Sequence, residues 1–145
     1  MATPLVAWMD QVSTDFEAAT PPDRTNVTYH EVDGKRFLTG TSGARSFMFD
    51  LPSRLEPVGE AGAAATQVEW AVPIKLRLPA TGRSQQALVD ACANETNLLM
   101  RTIETRATWP NGVLGVITEE AEPEREDKGD VVYAIPVRVL CNETD

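Results

Sequence analysis

The chain has 145 residues and a formal net charge of -9, from 22 acidic and 13 basic side chains. This length suits one domain, residues 1–145, that can bury a core without disulfides or metals. The negative charge argues against a nucleic-acid binder and against docking on an anionic membrane, because both functions need basic surfaces.

Targeting signals and reactive cysteines are not expected either. No apolar run approaches the ~20 residues that a membrane span needs. The segment Met1 to Met9 lacks the charged start and long apolar core of a signal peptide, so secretion is not expected. Cys92 and Cys141 lack CxxC spacing, which is typical of reduced thiols in a cytosol, and Cys92 is interpreted as a small core residue.

The first predicted element is a helix from Pro4 to Ala19. Thr3 can cap it, and Pro4 suits its first turn. Apolar residues recur at three- and four-residue steps and give the helix one buried face. These residues are Leu5, Trp8, Met9, Val12 and Phe16.

A polar hairpin and a strand are predicted next. Asp33-Gly34 is a turn signal between residues 26–32 and 35–39, which we expect to form a short, half-exposed hairpin. Residues 44–51 predict a strand with Arg45, Phe47 and Phe49 on one face.

Residues 52–66 break every pattern and predict a mobile loop. Two prolines, two glycines and three consecutive alanines leave this segment few apolar anchors. Ordered domains rarely carry a loop of this length without a use, although a tolerated surface insertion is the alternative interpretation. Deleting residues 60–65 is therefore expected to change function more than stability.

The clearest alternation in the chain predicts a strand from Gln67 to Leu78. Twelve residues at ~3.3 Å would span about 40 Å, so we expect part of this strand to project beyond its core. Pro73 cannot donate a hydrogen bond to a neighbouring strand, and the same holds for Pro136 further on. Both prolines therefore predict a sheet edge or a bulge.

The remaining elements are a helix and a hairpin. Residues 84–106 show helical periodicity, with Ser84 as N-cap. Residues 113–118 and 131–140 predict two strands whose connecting tip is the acidic segment 119–130. The sequence pattern therefore predicts an α+β fold. We expect a mainly antiparallel sheet of four to five strands that packs against two helices, with long projecting hairpins or loops. The expected core adds the inward face of residues 131–140 to these side chains: Trp8, Phe16, Phe47, Phe49, Trp70, Leu88, Leu99 and Ile103.

The sequence offers no recognisable catalytic constellation, cofactor motif or metal site. His30 is the only histidine and lies in the polar hairpin, without a nucleophile motif to accompany it. No phosphate-binding glycine motif occurs, and two remote cysteines with one histidine do not form a zinc set. The acidic segment lacks the order of ligands of an EF-hand. It predicts a solvated loop, or else a contact with a basic partner or a repulsive lining for a polyanion.

The order of elements resembles that of the tail terminator proteins of long-tailed bacteriophages. An N-terminal amphipathic helix, a polar hairpin and an "RSFMFDLP" strand precede a flexible loop. A long "VEWAVPIKLRLP" strand, a helix and a terminal hairpin ending "VVYAIPVRVL" follow. The resemblance covers nearly the whole chain but rests on element order, size and pattern, so no site residue is carried over.

The resemblance implies a non-catalytic virion protein at the neck between head and tail, assembled in the host cytoplasm. In that family, six copies form a ring that caps the tail tube, stops its polymerisation and presents a surface to the head connector. DNA passes through the ring without specific binding. We therefore expect no duplex binding and a soluble monomer or weak oligomer that becomes a stable ring on its partner. No cofactor is implied.

Charged positions on the loop, the long strand and the acidic tip are the candidate protein-contact residues. They are Arg54, Glu56, Glu60, Glu69, Lys75, Arg77, Glu119, Glu120, Glu122 and Glu124. Two alternatives stay open. The chain could be another neck or tail-tube component, or a non-catalytic intracellular ligand-binding domain with its pocket between sheet and helices.

Overall fold

A computed structural model describes residues 3–20, 29–31, 45–55, 67–79, 84–127 and 130–142. They form two helices, α1 (Pro4–Ala18) and α2 (Gln85–Glu104), which pack on a seven-stranded sheet. The strands are β1 (His30–Glu31), β2 (Ser46–Phe49), β3 (Ser53–Arg54), β4 (Gln67–Pro79), β5 (Val113–Thr118), β6 (Glu122–Asp127) and β7 (Asp130–Asn142). The predicted α+β class is confirmed, although the sheet has more strands than the four to five expected.

Both helices begin at the predicted caps. The Thr3 hydroxyl accepts a hydrogen bond from the N–H of Val6 at 3.3 Å, and the Ser84 hydroxyl accepts one from Ala87 at 3.1 Å. Each cap satisfies one N–H group that the first helical turn leaves without a partner. None of the helices in the described ranges is long and apolar enough to cross a membrane.

The centre of the sheet is an antiparallel pair of long strands, β4 and β7. Their register runs without a shift from Gln67 opposite Asn142 to Pro79 opposite Asp130. Strands β2 and β3 pair one after the other along the outer side of β4, and β5 and β6 do the same along β7. Only β1 is parallel to its neighbour, β2. Pro73 and Pro136 lie opposite each other inside the central pair, so the prediction of an edge or a bulge at these prolines is wrong.

The helices cover one face of the sheet, and the core lies between the helices and that face. Trp8, Phe16, Phe47, Leu99 and Ile103 are buried there as predicted. The other predicted core residues, Phe49, Trp70 and Leu88, are partly buried against this core.

The core runs along the whole of β4. Val68 near one end and Leu78 near the other are 1% and 0% exposed. The expectation that part of β4 projects beyond the core is therefore wrong, because the strand carries buried side chains near both of its ends.

Two segments that were predicted to be loops contain strands. Residues 122–127 of the acidic segment 119–130 form β6, which pairs with β7. Ser53–Arg54, in the predicted loop 52–66, forms β3 and pairs with Ala71 and Trp70 of β4. The sequence pattern missed both because they are held by backbone pairing to a long neighbour and not by apolar side chains. Residues 56–66, and most of the hairpin predicted at 26–39, lie outside the described ranges.

A buried ion pair fixes α2 to the sheet. Arg45 donates to both oxygens of the Glu95 carboxylate, from Nε at 2.6 Å and from Nη2 at 3.1 Å. The Tyr29 hydroxyl donates to the same carboxylate at 2.8 Å. All three residues are less than 5% exposed. Charged groups are buried at little net cost only when they are paired and hydrogen-bonded in this way.

Candidate interaction surface

The face of the sheet turned away from the helices remains partly exposed. Side chains alternate between the two faces of a strand, so the neighbours of buried Val68 and Val139 and of partly buried Val116 point outward. The outward residues of interest here are Glu69, Lys75, Gly115, Ile117, Arg138 and Leu140, and we call this surface the open face.

Arg138 is the centre of the charged part of the open face. Its Nε lies 2.6 Å from the Glu119 carboxylate, and its Nη1 lies 3.5 Å from the carboxylate of Glu69. The Arg138 side chain is 51% exposed, so each pair contributes at most about 1 kcal/mol to stability. These pairs join β4 and β7 to the end of β5 and hold the guanidinium across the sheet.

A shallow, mostly apolar cavity of about 190 Å³ lies beside Arg138. Gly115, Ile117 and Leu140 line it, with Glu69 and Arg138 at its polar side. Ile117 is 64% exposed, and a Cβ atom added to Gly115 would meet no atom within 4 Å. The cavity is thus open to an apolar side chain from outside the chain.

A second ion pair, between Lys75 and Glu124, crosses the open face from β4 to β6. Lys75 lies opposite Ala134 of β7, which in turn lies opposite Glu122. The pair therefore spans three adjacent strands. Glu120 and Glu122 are exposed beside it, so the margin of the open face along β6 is acidic.

The structure brings several of the predicted contact residues together on the open face. Glu69 and Glu119 both pair with Arg138, and Lys75 pairs with Glu124. These pairs lie within one chain, and sequence reasoning had not anticipated them.

Two other candidates are placed differently, and two are not described. Arg54 is exposed on β3, at the opposite side of the sheet from β5. Arg77 is only 2% exposed, so its selection as a surface contact residue is wrong. It belongs to the polar side of the β4 alternation, but this end of the sheet is covered, since its register partner Val132 is also buried. Glu56 and Glu60 lie outside the described ranges.

Sequence reasoning did not single out Gly115, Ile117, Arg138 or Leu140. Their alternation with the partly buried residues of β5 and the buried residues of β7 was the available signal, because it places all four on the face opposite the core. What the sequence could not supply was the register that places Gly115 opposite Leu140 and Ile117 opposite Arg138.

A further cavity, of about 340 Å³, lies between α2 and β7. Leu88, Val89, Cys92 and Tyr133 are among its lining residues. Burial raises the pKa of Tyr133 above its ordinary value of 10.0, and a hydrogen bond with Cys92 adds to this rise. This cavity lies where the alternative interpretation placed a ligand pocket.

A grouping of three or more histidine, cysteine or acidic side chains that could hold a metal ion is not found in the described part of the chain. No known protein-family model matches the sequence, and no curated protein is significantly similar to it.

Proposed function

We propose that this protein is a structural component of the tail terminator type at the neck of a long-tailed bacteriophage. In this role, copies of the chain form a ring on the end of the tail tube, stop tube polymerisation and offer a surface to the head connector. The protein acts through its surfaces, with no reaction catalysed and no cofactor held. DNA passes through the ring without specific binding.

The open face carries this proposal. It presents charged side chains and an apolar cavity on the sheet side that the helices leave uncovered, as a protein-contact surface requires. The two-layer α+β architecture and the order of its elements are also those expected for this family. The net charge of -9 supports passage of DNA, because a negative wall repels phosphates over a screening length of ~8 Å at physiological salt.

Assembly with a tail tube tests the proposal directly. A self-polymerising tail-tube protein is incubated with and without the purified chain and viewed by negative-stain microscopy. We expect shorter tubes of uniform length that carry a ring at one end. The variant Ile117→Asp places a charge at an exposed position of the open face, and we expect it to weaken capping. Tubes of unchanged length with uncapped ends would contradict the proposal.

A ligand-binding domain is the second candidate, and the cavity between α2 and β7 favours it. Its volume of about 340 Å³ lies at the lower end of the range for small-molecule pockets. Screening small apolar compounds by thermal shift tests this candidate. A stabilising compound whose effect is lost in Val89→Asp would support it, because Val89 lines the cavity and is 50% exposed.

A further inference from the structure

An almost fully exposed leucine lies near one edge of the sheet, and the apolar cavity lies near the opposite edge. Leu51, between β2 and β3, is 83% exposed. It is held in place by its own N–H, which donates to the Asp50 carboxylate, and by the N–H of Asp50, which donates to the Pro73 carbonyl, both at 2.8 Å. Leu51 is therefore fixed beside β4, while the cavity of Gly115, Ile117 and Leu140 lies along β5 and β7.

We propose that a second copy of this chain occupies the cavity by inserting its Leu51. The contact joins two different surfaces, the Leu51 side of one protomer and the open face of the next. The pair then keeps one free surface of each kind. Such a head-to-tail contact repeats from copy to copy and gives a closed ring when the rotation between copies closes.

The charges on the two surfaces match this arrangement. Arg54 is exposed on β3, three residues after Leu51. The cavity side carries the carboxylates of Glu69, Glu119 and Glu120 around the guanidinium of Arg138, so negative charges outnumber positive ones there. An arginine that approaches with Leu51 thus meets a negative surface, and opposite charges favour this pairing over contact between two like sides.

The cavity also has room for the leucine without rearrangement of the fold. The space above Gly115 is open, since a Cβ atom at this position would have no neighbour within 4 Å, and Ile117 offers its apolar side chain beside it. A leucine that is nearly all exposed in one protomer thereby becomes buried against apolar groups of the next. This burial favours association.

The test separates the two halves of the contact. Leu51→Asp disables the inserting side, and Gly115→Phe fills the cavity, with Ile117→Asp as a second cavity variant if Gly115→Phe does not fold. Val6→Asp is the matched control, because Val6 is 45% exposed on α1 and does not line the cavity. Circular dichroism verifies that each variant is folded.

Sedimentation velocity over a concentration series is the measurement. We expect the wild type and Val6→Asp to associate alike, and each contact variant to need about tenfold or more higher concentration. An equimolar mixture of Leu51→Asp and Gly115→Phe should form a one-to-one dimer and stop there, because only one competent contact remains. Wild-type protein that stays monomeric at its highest soluble concentration would overturn the contact. Variants that associate like the wild type, or a mixture that does not dimerise, would do the same.

This inference rests on the proposed ring, and the two can fail separately. If the wild type and the Leu51→Asp variant cap tubes equally well in separate assays, the contact is rejected and the proposed function stands. Wild-type protein that associates through this contact but does not cap tubes would reject the proposed function and leave the contact standing.

Discussion

Pro73 and Pro136 lie directly opposite each other at the middle of the β4–β7 pair. The N–H of Asp50 donates to the Pro73 carbonyl and the N–H of Glu119 donates to the Pro136 carbonyl, both at 2.8 Å. The nitrogen and the carbonyl of one strand residue point to the same side, so both proline nitrogens face away from the central pair. They face the breaks between β2 and β3 and between β5 and β6. The central pair therefore loses no hydrogen bond to either proline.

This geometry predicts that proline is tolerated at position 136 but not one residue later. Val137 lies opposite Val72, in the adjoining pair whose N–H groups point into the central ladder. We expect Pro136→Ala to lower the free energy of unfolding by less than about 1 kcal/mol. Val137→Pro should lower it by about 3 kcal/mol or more. Urea denaturation followed by circular dichroism measures both, and equal losses would contradict the assigned register.

Breaking the buried ion pair should be costly. Glu95→Leu or Arg45→Met alone leaves a buried charge without its main partner, and we expect each to lower the free energy of unfolding by about 3–5 kcal/mol. The double variant should recover much of this loss, because both charges are removed together. Lys75→Met is the matched control, with an expected loss below about 1 kcal/mol at a more exposed pair. A double-mutant cycle by chemical denaturation with no coupling between positions 45 and 95 would refute the assignment.

Tyr133 should make the protein less stable in alkali. Burial and the hydrogen bond with Cys92 raise the Tyr133 pKa above the 10.0 of an unfolded tyrosine. The folded state therefore holds the phenolic proton more tightly. This contribution to stability is complete below pH 10 and is lost as the pH rises through the folded pKa. We expect the unfolding free energy of the wild type to fall more steeply above pH 10 than that of Tyr133→Phe. Identical slopes in urea titrations would contradict the prediction.

Reversing exposed acids beside β6 should change partner binding without changing the fold. Glu120→Lys with Glu122→Lys leaves the Glu119–Arg138 and Lys75–Glu124 pairs in place. We expect a change in unfolding free energy within about 0.5 kcal/mol. If this margin docks on a basic partner, binding to tail tubes should weaken, most clearly at low salt. If it lines the DNA channel, capping persists and DNA ejection slows. The prediction is wrong if tube binding and ejection both stay at wild-type levels.

Most of the fold could be predicted from the sequence because its main elements have local signals. Thr3 and Ser84 cap the two helices, and the alternation from Val68 to Leu78 predicts the central strand. The acidic strand β6 could not be predicted, because residues 122–127 carry no apolar alternation. Its pairing with β7 provides the order that its side chains do not.

The site was harder to predict because it depends on residues far apart in the chain. Glu69, Glu119 and Arg138 meet only through the registers of β4 and of β5 with β7. Arg77 was wrongly predicted to be exposed, because alternation shows which face of a strand a side chain is on but not how much of that face is covered. The ion pair between Arg45 and Glu95 joins positions 50 residues apart. Its only local signal was that both residues lie on otherwise apolar faces.

The unbroken ladder between β4 and β7 also determines how the domain responds to force. The two strands of 13 residues stay in register over their full length. Tension applied along the strands loads their cross-strand hydrogen bonds together in shear, whereas a pull across the strands at one end would break them one after another. A protomer held by its neighbours at the two ends of this ladder would therefore resist stretching far better than peeling.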